Sequence, residues 1–125
     1  MATVIGIFEN QYLNKKPLSV VKPGTQTRRF THIHDTVQVC YEAFKANKCK
    51  NYSISNKKSY SIIQVAKMFK SKVVFLKPRL GERYASALTK ISYNNKIIQK
   101  YGRLQLKEYI SSFIKTCKLW KLKVH

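Results

Sequence analysis

The segment Gly24–Asp35, GTQTRRFTHIHD, packs a glycine turn, two adjacent arginines, an aromatic ring and two histidines into one short stretch. Thr27–Ile33 alternates and is rich in β-formers, which predicts a short strand. Asp35 predicts the start of a helix, as a cap or a first-turn acid, because an anion suits the positive end of the helix dipole. Three chemistries fit such residues: a polyanion-binding surface, a metal site, or one wall of a pocket for a phosphorylated ligand.

Upstream, Lys22–Gln26 (KPGTQ) places Pro ahead of Gly, as a type II turn wants. Leu18–Val21 (LSVV) reads as a strand, so the two strands around the turn are expected to form a hairpin-like pair. Before them, Val4, Ile5, Phe8, Tyr12 and Leu13 recur at helical spacing, and that run stops ahead of Pro17. Downstream of Asp35, Val37, Cys40, Tyr41 and Phe44 recur three and four apart and predict an amphipathic helix. NYSIS (51–55) reads as a strand, Ser61 as the cap of the helix IIQVAKMF, and KVVFLK (72–77) as a further strand. PRLGERYAS (78–86) is a loop, and NNKIIQKY (94–101) a short helix ended by Gly102. The last helix, LKEYISSFIKTCKLW (106–120), carries Tyr109, Ile110, Phe113, Ile114 and Cys117 on one side. The fold class expected is a small mixed α/β domain of short strands covered by about five helices, with residues 1–125 as one domain.

Composition narrows the function classes. Apolar residues make up 44% of the 125-residue chain, which supplies a core and argues against disorder. No apolar run approaches the roughly 20 residues a membrane span needs. The apolar start MATVIGIF lacks a basic lead and runs at once into Glu9, Asn10 and Gln11, so a signal peptide is not expected and the protein is read as cytoplasmic. Three cysteines with no close pair read as reduced, buried thiols. Charge is the anomaly: 25 Lys and Arg face 5 Asp and Glu, a net +20 that attracts polyanions. The lysines are spread along the chain, so they do not mark a basic tail. A Lys-, Asn-, Ile- and Tyr-rich bias, or an acidic second lobe, accounts for the charge equally well.

The chemistry-bearing residues weigh differently. His32 and His34 fall on one face of the expected strand, with Cys40 after them, but no second pair of close ligands exists for structural zinc. The cysteines lie on apolar helix faces, where thiols are packing residues. Gly6, Gly24, Gly81 and Gly102 are isolated, which excludes a dinucleotide fingerprint and a phosphate loop within these residues. The phosphate reading keeps the most support. Arg28 follows a glycine turn and Arg79 stands in KPRLGER with Glu82 close by. Two guanidinium groups can clamp a diphosphate, and a carboxylate can accept from ribose hydroxyls.

The order KKPLSVVKPGTQTRRFTHIHDTVQVCYEAF, YSISNKKSYSIIQVAKMF and KPRLGERYASALTK resembles the C-terminal half of the NAD-dependent sugar-nucleotide epimerases and dehydratases, extended short-chain dehydrogenases/reductases related to UDP-glucose 4-epimerase. The likeness runs from about residue 3 to residue 118. It implies that Arg28 and Arg79 contact a nucleotide diphosphate, that Glu82 holds the ribose, and that Phe30 and His32 lie on the same strand as Arg28, near that site. Asp35 matches the aspartate that opens the next helix and is read as structural. Arg29 departs from the resemblance, standing where an acid is usual. Leu80 replaces a loop proline, and KYGRL (100–104) replaces a Gly-Trp-x-Pro turn. The Rossmann half, with its Gly-rich turn and Tyr-x-x-x-Lys pair, has no counterpart here, since Tyr41–Lys45 has the spacing but lies in the wrong helix.

The expected function is therefore the substrate-binding domain of a nucleotide-sugar epimerase/dehydratase, gripping a nucleoside-diphosphate sugar and turning nothing over alone. NAD is implied for the complete enzyme and not for this chain. Expected partners are the sugar nucleotide, a separate or missing Rossmann half and a second copy. The alternative is a basic nucleic-acid or polyanion-binding module, or an inactive remnant of the same fold.

Overall fold

In a computed structural model, residues 3–46, 54–81 and 104–123 are described. Helix α1 (Val4–Leu13) begins where Thr3, in extended conformation, caps it: its hydroxyl accepts from the Gly6 N–H at 3.3 Å. Strand β1 (Leu18–Val21) follows. Its alternation sends Leu18 and Val20 into the core. The Gln11 side chain clamps the exposed edge of β1. Its amide oxygen accepts from the Ser19 N–H at 3.0 Å and its amide nitrogen donates to the Ser19 hydroxyl at 2.7 Å.

The chain turns at KPGTQ, with Gly24 at φ 68°, but the turn residues are Lys22 and Pro23 and not the Pro–Gly pair expected of a type II turn. The Lys22–Pro23 peptide is cis. Gly24 is also a contact: a Cβ there would sit 2.6 Å from Val20 Cγ1 and 2.9 Å from Ile63 Cγ1. The hairpin expected across this turn does not form. β1 instead pairs in parallel with β4 (Val73–Leu76), Leu18 opposite Val73 and Val21 opposite Leu76. β2 is only Thr27–Arg28 and pairs antiparallel with β3 (Tyr60–Ser61). Parallel strands need a long crossover, and the chain supplies it through β2, α2 (Ile33–Ala46), β3 and α3 (Ile62–Met68).

Ser61 ends β3 and caps α3 with a full capping box. Its hydroxyl accepts from the Gln64 N–H at 3.2 Å, and the Gln64 side chain accepts from the Ser61 N–H at 2.8 Å. The last helix, α4 (Leu106–Lys123), lays Ile110 and Cys117 inward, with Phe113 and Ile114 beside them, as its spacing predicts. Phe8, Leu18, Val20, Val65, Ala66, Phe69 and Ile110 form the buried centre. Burying an aliphatic or aromatic side chain of this kind contributes about 1.5–3 kcal/mol. Phe69 stands edge-on to Phe8 at 5.9 Å between centroids and to Phe113 at 6.2 Å, so α1, α3 and α4 share one aromatic contact.

Two further expectations change. Strand 51–55 does not extend into the described residues: Ile54 and Ser55 are not in a strand, and the rest lies outside them. The face of α2 expected to be buried, Val37, Cys40, Tyr41 and Phe44, is exposed, with Phe44 81% accessible. α2 turns Val39 and Asp35 inward instead. Four helices occur among the described residues. The helix expected over 94–101 lies outside them. No helix among the described residues is long and apolar enough to cross a membrane.

Candidate functional site

A cavity of about 450 Å³ opens between three segments: the start of α1 (Thr3, Ile5), the chain from Arg28 through Ile33, and the entry to α4 (Leu104–Leu106 and Tyr109). Ile5, Phe30, Ile33, Leu104 and Leu106 give it apolar walls, and Arg28, His32 and Tyr109 supply the polar and charged groups. This combination of apolar lining and a few placed polar groups is what small-molecule sites show.

Backbone geometry positions the wall. Arg28 is held by the β2–β3 pairing opposite Tyr60, and its Nη1 donates to the Thr27 carbonyl at 2.9 Å. The strand ends there, so the expected strand face shared by His32 and His34 does not exist: His32 precedes α2 and His34 lies in its first turn. His32 Nδ1 accepts from the His34 N–H at 3.1 Å, which puts the donor of the neutral ring on Nε2. Its ring meets Tyr109 edge-on at 5.6 Å. No group of three potential metal ligands occurs among the described residues.

Three segments brace the cavity from behind. The Asn56 N–H donates to the Thr31 hydroxyl at 3.0 Å, and the Asn56 side-chain amide donates to the Leu104 carbonyl at 3.1 Å. The Leu104 N–H donates to the Asp35 carboxylate at 3.2 Å. Asp35 is thus buried in the first turn of α2, where the helix dipole also favours its charge, in keeping with a structural reading.

Sequence reasoning missed Tyr109 as a site residue. Its hydroxyl donates to Glu9 at 2.7 Å. That bond, then burial, then the Glu9 charge push the phenol above its ordinary range. The only signal available was a tyrosine at the border of an otherwise apolar helix face. Leu104 and Gln105 carried no signal at all.

The structure brings Arg28, Phe30 and His32 onto one wall. Arg79 is exposed beyond β4 and does not line the cavity. Glu82 lies outside the described residues. Arg29 is not on the wall either, and its Nε and Nη1 are buried with no hydrogen-bond partner among the described residues.

No protein-family model matches the sequence, and no curated protein matches it. Solved structures do match. The fold is a mixed α/β arrangement shared with nucleotide-sugar 4-epimerases, the likeness expected from the motif order. UDP-glucuronic acid 4-epimerase from Bacillus cereus, solved with UDP-glucuronic acid and NAD, is similar over 94% of this chain and 40% of its own, at 25% identity and TM-score 0.71. UDP-N-acetylglucosamine 4-epimerase from Methanobrevibacter ruminantium, solved with UDP-N-acetylmuramic acid, is similar over 98% and 40% at 20% identity and TM-score 0.74. UDP-glucose 4-epimerase from Thermotoga maritima, solved with UDP-glucose, gives 99% and 41% at 19% identity and TM-score 0.72. The chain spans about 40% of the length of the enzymes it resembles.

Proposed function

We propose that residues 1–125 form one substrate-binding domain of a nucleotide-sugar epimerase or dehydratase, and that its ligand is a nucleoside-diphosphate sugar. The observation that carries this reading is Arg28 on the wall of a 450 Å³ cavity beside Phe30 and His32, in a fold shared with enzymes solved with UDP-sugars. In this reading the Arg28 guanidinium faces the diphosphate, where charge-assisted bonds are strongest. Phe30 and His32 give the ligand a flat apolar border. The resemblance adds Arg79 as a second phosphate contact and Glu82 as a ribose acceptor for the same ligand, although Arg79 does not line this cavity.

The domain grips and orients its ligand, and that binding energy places the sugar for reaction. NAD does not fit the residues present, because none of the isolated glycines makes a dinucleotide turn. It belongs to the remaining length of a complete enzyme, a Rossmann half, and this chain alone is expected to turn nothing over.

The test is an NMR titration of the 125-residue chain with UDP-glucose, UDP-glucuronic acid and UMP. Shifts at Arg28, Phe30 and His32, stronger with the UDP-sugars than with UMP, support the reading. Arg28→Ala is expected to weaken UDP-sugar binding at least tenfold, as loss of a charged hydrogen bond does. Saturating UDP-sugar that leaves these three residues unmoved overturns it.

A further inference from the structure

The end of the molecule away from the cavity collects charge from segments distant in sequence. α1 and α4 run side by side in the same direction, since Glu9 bonds Tyr109 and, one turn on, Tyr12 meets Phe113 at 6.0 Å. Tyr12 also meets Phe69, at the end of α3, at 6.0 Å. The Leu18 N–H donates to the Lys72 carbonyl at 2.8 Å, joining the starts of β1 and β4 at the same place. The C-terminal ends of α1 and α3 and the two strand starts therefore share one pole, at the level of Phe113, past which α4 runs on to Lys123, about 15 Å at 1.5 Å per residue. Lys15, Lys16, Lys70, Lys72 and Lys118 stand on it, all exposed.

Helix-end chemistry does not account for them. The two helix C-termini there carry together about −1 elementary charge, against five lysine ammonium groups. No acid among the described residues offsets the excess. Glu9 is bonded to Tyr109 and Asp35 to Leu104, Glu108 opens α4 at the cavity end, and Glu42 is on α2. Trp120 completes the pole. It lies seven residues past Phe113, two helical turns on and on the same face. Phe113 packs on α1 and α3, so Trp120 stands on the side of α4 that faces them, about 10 Å further along the helix. It is 71% exposed.

From this we propose that the pole binds single-stranded nucleic acid: the lysines track the phosphates and Trp120 stacks on a base. Stacking on an exposed indole between backbone-tracking cations is how sequence-tolerant single-strand binding works. The site is separate from the cavity and does not depend on what the cavity binds.

The chain has a single tryptophan, so its own fluorescence reports the contact. The probes are a labelled 20-nucleotide oligothymidine, a duplex of equal length, inorganic polyphosphate, and phosphatidylserine vesicles. The expected result is anisotropy-detected binding of the single strand with tryptophan quenching and a log–log salt slope of about −3, from four or five phosphates. Polyphosphate binds without quenching. Trp120→Ala weakens oligothymidine about tenfold. K70E/K72E weakens it at least tenfold and flattens the slope by about 1.4. K57E/K58E, the same change of charge elsewhere on the surface, costs less than about threefold in affinity by the same binding measurement. Circular dichroism confirms that each variant is folded. Equal loss in the two lysine pairs, equal quenching by polyphosphate, tighter duplex binding, or a tryptophan response to vesicles alone overturns the proposal.

Discussion

Helices α2 and α4 are both amphipathic by spacing, yet they use their apolar sides in opposite ways. α4 presses Ile110 and Cys117 into the centre and sets Phe113 against Tyr12 and Phe69. α2 sends Ile33, Val37, Tyr41 and Phe44 to solvent and holds on with Val39 and a buried carboxylate. Periodicity shows that a helix has an apolar stripe. It does not show that the rest of the chain provides a surface to cover it. In α4 the covering surface exists because α1 and α3 meet there.

The largest expected effect sits on the α4 side. Ile110→Ala should cost about 2–5 kcal/mol, since Ile110 is 1% exposed and its loss leaves a cavity in the centre. Urea unfolding followed by circular dichroism measures it, and a cost below about 1 kcal/mol would erase the contrast between the helices. An intermediate effect is expected where α2 is tied down. Asp35→Ala leaves the Leu104 N–H without its acceptor and should cost about 1–3 kcal/mol, with Asp35→Asn recovering part of it. The same change should raise hydrogen exchange at Leu104. The smallest effect belongs to the α2 stripe. Phe44→Ala should shift stability by no more than about 0.5 kcal/mol. A large cost by the same unfolding measurement would mean that Phe44 is covered in solution.

Local features were legible in the residues. Leu18–Val21, the stop before Pro17, the Ser61 cap and the inward side of α4 all follow from spacing and capping chemistry, which act within a few residues. Pairing was not legible. A turn between two β-rich segments suggests a hairpin, but the partner of β1 is β4, far along the chain, and the hydrogen bonds of a parallel pair leave no local mark. The cavity divides the same way. Arg28, Phe30 and His32 are close in sequence, and all three line the cavity although the strand expected to carry them ends at Arg28. Leu104, Gln105 and Tyr109 join them through the Asp35–Leu104–Asn56 bonds and the His32–Tyr109 ring contact. His32 and His34 were assigned a common strand face, and the early start of α2 removed it.

The two left-handed glycines among the described residues differ in how much sequence change they permit. At Gly81, φ 82°, a Cβ would meet nothing within 4 Å among the described residues, so asparagine, which tolerates that backbone, is an acceptable exchange. At Gly24 the same backbone lies under Val20 and Ile63. No residue with a side chain satisfies both demands there, so substitution is expected to be tolerated at Gly81 and costly at Gly24.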